Sequence, residues 1–93
     1  MLKAQKGGSL PAAYQQLRSD TARMRFLERA IAGSLDEGQL THVLDWARIG
    51  LSMAEAHKVD TMKGIFLFDI GKAFTYQYNQ YDSAIRYYKQ VLP

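Results

Sequence analysis

The sequence predicts an all-α protein of about five helices, and three observations predict it. Apolar residues recur at steps of three and four along most of the chain, the spacing of a helix face. No stretch of useful length alternates apolar and polar residues, so a sheet is not expected. Only two prolines are present, so long runs are free of the residue that breaks helices.

Residues 1–9 are polar and glycine-bearing and are expected to form a flexible lead, leaving 10–93 as one helical domain. Ser9-Leu10-Pro11 reads as a helix start, with a short helix through Leu17 that sets Ala13, Tyr14 and Leu17 on one side. Ser19-Asp20-Thr21 is the next start, because these side chains accept from the free N–H groups of a first turn. Met24, Leu27, Ile31 and Ser34 then follow helical spacing, and Gly33 is a stop or a close-packing point.

Asp36, Glu37 and Gly38 are read as opening a third helix, with acids at its positive end. Leu40, Val43, Leu44, Ala47, Leu51 and Ala54 form its stripe, and His57 and Lys58 sit in its last turn. Asp60 or Thr61 begins a fourth helix. Its Ile65, Phe66, Leu67, Phe68, Ile70, Ala73 and Phe74 point in nearly every direction, so it must be covered on more than one side and is the central element. Asn79 stops it. Tyr81-Asp82-Ser83 starts the last helix, lined by Ala84, Ile85, Tyr88 and Leu92.

The bulk composition excludes several classes of function. A chain of 93 residues allows one small domain. Lys plus Arg is 12 and Asp plus Glu is 9, and the basic residues are scattered along the chain, unlike the one-sided footprint of a nucleic-acid binder. With no cysteine there is no disulfide, thiolate metal site or cysteine nucleophile. No run approaches the roughly 20 apolar residues of a membrane span. Residues 1–8 lack the apolar core of a secretory signal, and the sequence leaves cytoplasm and periplasm both open.

The segment Leu67-x-x-Ile70-Gly71-x-x-Phe74, followed by Tyr81-x-x-Ala84-x-x-x-Tyr88, resembles a tetratricopeptide repeat. In that pattern the small residues let the two helices of a hairpin approach, and the large ones fill the space around the crossing. Gly71 and Ala84 lie 13 positions apart, one more than usual, and Asn79 stands near the usual turn glycine. The closing proline of the pattern would fall beyond Pro93, so the last repeat is incomplete. An earlier copy runs from Ser19-Asp20-Thr21-Ala22-Arg23 through Leu27, Ala30 and Ile31 to Val43, Ala47, Gly50 and Ala54. The stretch from Leu44 to Gly71, with Leu51-Ser52-Met53-Ala54-Glu55-Ala56 inside it, is similar to the longer repeats that precede bacterial sensor histidine kinases and related regulators. So is the opening Ser-Asp-Thr-Ala-Arg. The likeness covers 19–92.

What the resemblance implies is a solenoid of antiparallel helical hairpins with about two repeats. Its implied function is non-catalytic: a protein–protein interaction scaffold in the sensory or regulatory region of a bacterial signalling protein. Peptides bind such repeats on the surface of each repeat's first helix. Carried onto this chain, that surface includes Phe68, Lys72, Thr75 and Tyr76, and in the earlier copy Arg25, Glu28 and Ala32. A carboxylate clamp is not matched, because Phe68 stands where a basic residue is needed. The strip Phe68–Lys72–Tyr76, spaced by four, suits a peptide of apolar and acidic character. The competing reading is that Phe68 and Tyr76 simply cover a neighbouring helix. The alternative function is a nucleic-acid or effector-binding regulatory domain.

No catalytic or metal constellation is expected. His42 reads as a polar helix-face residue, and His57 as a cation at a helix end. Their spacing is not that of metal ligands, and no cofactor is implied. Adjacent Asp36 and Glu37 point apart on a helix. Gly7-Gly8 and Gly64 make no phosphate loop. Asp69, set inside the apolar helix, either orients a partner or accepts a hydrogen bond from the neighbouring hairpin. The second is the expectation. Ile85, Tyr87, Tyr88, Val91 and Leu92 cannot all face one neighbour, which predicts self-association through an apolar patch.

Overall fold

The structure, a computed structural model, describes residues 10–91. The predicted lead at 1–9, and Leu92 with Pro93, lie outside the described residues. Five helices and no strand occur among them: α1 (Ala12–Gln15), α2 (Asp20–Asp36), α3 (Val43–Ala56), α4 (Asp60–Tyr76) and α5 (Tyr81–Val91). The all-α class and the helix number match the expectation.

Local chemistry explains where the helices start and stop. Pro11 stands at the N-cap of α1, and the single turn buries Tyr14, whose ring meets Phe26 edge-on at 5.9 Å. Ser19 caps α2, its hydroxyl accepting from the Ala22 amide at 3.1 Å. In the last turn of α2 the structure corrects the sequence reading. Gly33 does not stop the helix, and Asp36 to Gly38 end it rather than open the next. Gly38 takes φ +73°, the Gln39 amide donates to Ser34 O at 2.8 Å, and the Gly38 amide donates to Leu35 O at 3.2 Å. This double closure satisfies carbonyls that a helix end leaves bare, and glycine adopts the required left-handed conformation without strain. The acids thus sit at a negative helix end, and α3 begins at Val43, seven residues later than Asp36.

The same closure ends α3. Lys58 takes φ 57°, with Val59 N donating to Ala54 O at 2.9 Å and Lys58 N to Glu55 O at 3.3 Å. His57 and Lys58 therefore lie past the helix, not in its last turn. His57 Nε2 is 2.7 Å from Asp20 Oδ2, and Arg23 donates to Asp20 Oδ1 at 2.7 Å and to Leu17 O at 2.8 Å. Asp20 thereby ties the start of α2 to the end of α3. Asn79, at φ 55°, stops α4 as expected.

Packing is sequential. α2 lies on α3, α3 on α4 and α4 on α5, with a smaller contact between α2 and α4. The core joins Met24, Leu27 and Ile31 of α2, Val43, Trp46, Ala47 and Ala54 of α3, and Phe66, Ile70 and Ala73 of α4. Burying a side chain such as Phe66 or Leu27, each fully enclosed, contributes about 1.5–3 kcal/mol. As its all-round apolar sequence requires, α4 is covered on both sides. At the α3–α4 seam a Cβ added to Gly50 would collide with the Phe66 ring. At the α4–α5 seam one added to Gly71 would collide with the ring of Tyr88. Gly71 and Ala84 are both buried, as expected of close-packing positions.

Candidate partner-binding groove

The contact between α2 and α4 leaves a groove of about 260 Å³ along its length. From α2 come Glu28, Ala32, Leu35 and Asp36, a row at steps of three and four. From α4 come Ile65, Phe68, Asp69 and Lys72, arranged in the same way. Glu28, Phe68 and Lys72, expected to bind a partner, and Ala32 beside them, thus meet in one place although up to 44 positions of sequence separate them.

The other expected residues lie elsewhere. Thr75 Oγ1 donates to Gly71 O at 3.0 Å and is 3.2 Å from the Tyr88 hydroxyl, so it is tied to α5. Tyr76 is 64% exposed near the end of α4, outside the groove lining. Arg25 lines a different and wider cleft, about 770 Å³, with Leu17, Phe26 and Arg29.

Within the groove each charged group has a distinct environment. Phe68 is 44% exposed, its inner edge resting on Tyr88 with ring centroids 5.2 Å apart. Lys72 Nζ lies 4.6 Å from the centre of the Phe68 ring, a cation–π contact. Asp69 is only 7% exposed, yet its carboxylate has no hydrogen bond and no ion pair among the described residues. The expected bond from the neighbouring hairpin is therefore corrected. Loss of solvent pushes the Asp69 carboxyl up to about 6; the Lys72 charge pulls it down and the Glu28 charge pushes it up again.

The sequence reading missed Asp36, Leu35 and Ile65 as groove residues. The acid–glycine pattern puts Asp36 on the wrong helix, and Leu35 and Ile65 become groove walls only once α2 and α4 are in contact. Asp69 did carry a signal, a lone acid inside an apolar run.

Elsewhere His42 stacks on Trp46 with centroids 4.6 Å apart. Among the described residues no cluster of His, Asp and Glu is able to hold a metal ion, and no helix is long and apolar enough to cross a membrane. On α5, Tyr87 stacks on Phe74 at 5.5 Å and Tyr88 is half-buried, while Tyr81 and Ile85 are exposed. Comparison of the chain with protein-family models, curated proteins and solved structures gave no match.

Proposed function

We propose that this chain is a non-catalytic protein-interaction module, built as a tetratricopeptide-like array, whose partner docks in the groove between α2 and α4. The observation that carries the reading is the groove itself. Two helices that are not neighbours in sequence present an exposed aromatic ring beside charged groups of both signs. Such a mixture of an aromatic anchor and a few polar groups is the make-up of a peptide-recognition surface. The solenoid reading draws on the sequential packing of α2 to α5 and on the glycine-and-aromatic seams. The setting in a bacterial signalling protein rests on the sequence resemblance alone. Three carboxylates in the groove, Glu28, Asp36 and Asp69, oppose the alternative of nucleic-acid binding there.

Peptides selected on the folded domain from a display library test the reading. Phe68→Ala and Glu28→Lys, each shown to be folded by circular dichroism, are expected to weaken such a peptide by about tenfold or more, the size of a 1.4 kcal/mol contact. Full affinity in both variants would remove the groove as the binding surface.

A further inference from the structure

Asp69 presents a physical problem that the fold does not solve. A carboxylate taken out of water needs compensation from hydrogen bonds or an opposite charge. Asp69 is 7% exposed and makes no hydrogen bond or ion pair among the described residues, leaving only the charge of Lys72 to offset its burial in part. The nearest cation on its own helix, Lys72, lies over the Phe68 ring instead of pairing with it. On the facing helix stand Glu28, which half-faces solvent, and Asp36, both of the same sign. The groove thus holds three acids against one lysine, and that lysine is already engaged.

We propose that the groove receives a lysine or arginine side chain of a protein partner, its cationic head paired with Asp69 and Glu28 and its stem laid along Phe68. This rests on the interaction-module reading and gives the partner its chemistry. It reverses the acidic peptide expected from the strip of Phe68, Lys72 and Tyr76. The volume fits: about 260 Å³ lies below the roughly 300–1,000 Å³ of small-molecule pockets and suits one long side chain. The contact with Lys72 shows that the Phe68 ring is placed to hold a cation in the groove, a position the incoming charge takes over. Lys72 then acts as a resident competitor, which moves aside or repels the incoming charge.

The charged groups lining the groove with Asp69 are Lys72 on α4 and Glu28 and Asp36 on α2, of which Lys72 lowers and Glu28 raises its carboxyl. Because the Asp69 carboxyl takes up a proton near pH 6, cation binding weakens on acidification through that range.

Four capped peptides that differ only in a central arginine, lysine, glutamine or glutamate between leucines serve as probes. They are titrated into the isotopically labelled chain and followed by backbone amide shifts. The arginine and lysine peptides are expected to shift amides in 28–36 and 65–72 and to bind at least about tenfold more tightly than the glutamine peptide. Asp69→Asn abolishes that preference, Lys72→Met strengthens the lysine peptide, and lowering the pH from about 7.5 to about 5 weakens it. If Asp69→Asn does not fold, Glu28→Gln and the pH series carry the same test. Equal affinity for lysine and glutamine peptides overturns the proposal. So does tightest binding of the glutamate peptide with loss in Lys72→Met, an outcome that leaves the groove as an interaction surface for acidic partners. No groove shift with any of the four peptides removes both this inference and the docking groove.

Discussion

On one side of α4, Gly50 of α3 lies under the ring of Phe66. On the other, Gly71 of α4 lies under the ring of Tyr88. Each seam joins consecutive helices by the same device, a missing side chain that admits an aromatic ring from the next helix. The outcomes differ. Phe66 is wholly enclosed, between α3 and α4 in the middle of the array. Tyr88 is half-buried, its hydroxyl 3.2 Å from Thr75 Oγ1 and its ring against Phe68. The inner seam is therefore pure apolar packing. The outer seam has a polar handle and serves a second purpose, holding Phe68 in place at the groove.

The largest effect that would sharpen this contrast is truncation of the two rings. Phe66→Ala is expected to cost about 3–5 kcal/mol, because the cavity is enclosed. Tyr88→Ala is expected to cost about 2 kcal/mol, since solvent fills the space it leaves. Equal losses in chemical denaturation would break the contrast. The glycines come next. Gly50→Ala should cost about 2–3 kcal/mol and Gly71→Ala about 1 kcal/mol, both by overpacking, with Tyr88 freer to yield. A thermal melt in which Gly71→Ala is the more damaging would show the outer seam to be the tighter one.

Two carboxylates extend the comparison to pH. Hydrogen bonds from His57 and then Arg23 hold the Asp20 carboxyl below its ordinary value. Its contribution is present above the unfolded value of 3.8 and is lost as pH falls through the lower folded one. Asp69 has the opposite sign. Its folded value of about 6 exceeds the ordinary 3.8, so the folded state binds the extra proton between them. Acidification across that window stabilises the fold, and at neutral pH the unpaired charge is a liability. Asp69→Asn should therefore raise stability at neutral pH by about 1–2 kcal/mol and remove the rise in stability between about pH 6 and pH 4. A loss of stability at neutral pH would mean that the carboxylate is compensated.

The smallest effect concerns the glycine that makes no seam. Gly33 lies within α2 with nothing near its missing Cβ. Gly33→Ala should add about 0.5–1 kcal/mol by restoring helix propensity, the reverse of the effect at Gly50 and Gly71. A destabilised Gly33→Ala in denaturant titration would show a close contact at that site.

Much of this architecture was legible in the residues. The helical spacing of Met24, Leu27 and Ile31, the start at Ser19-Asp20-Thr21, the stop at Asn79 and the all-round apolar surface of α4 are local signals, and each is found in the fold, with Ser19 as the cap. The boundary between α2 and α3 is not legible, because acids followed by glycine serve two ends: Asp36-Glu37-Gly38 has the composition of a start and the geometry of a stop. Local sequence carries no term that decides between them until Gly38 adopts its positive φ and closes onto Ser34 and Leu35.

The site was legible only in part. The repeat pattern points to Phe68, Lys72, Glu28 and Ala32, and α2 and α4 bring them to one groove. Arg25, Thr75 and Tyr76 belong to other surfaces: Thr75 and Tyr76 follow Phe68 and Asp69 by seven positions and Arg25 precedes Ala32 by seven, so they share the groove's side of each helix, but the groove ends short of them along the axes. By itself the sequence determined the number of helices, the central place of α4 and the small residues at its seams, all set by propensity and periodicity. Only the tertiary structure decided that Asp69 is buried without a partner while Lys72 turns to Phe68. That outcome depends on which faces of α2 and α4 meet, and the contact costs a carboxylate its water across a helix pair that no local pattern encodes.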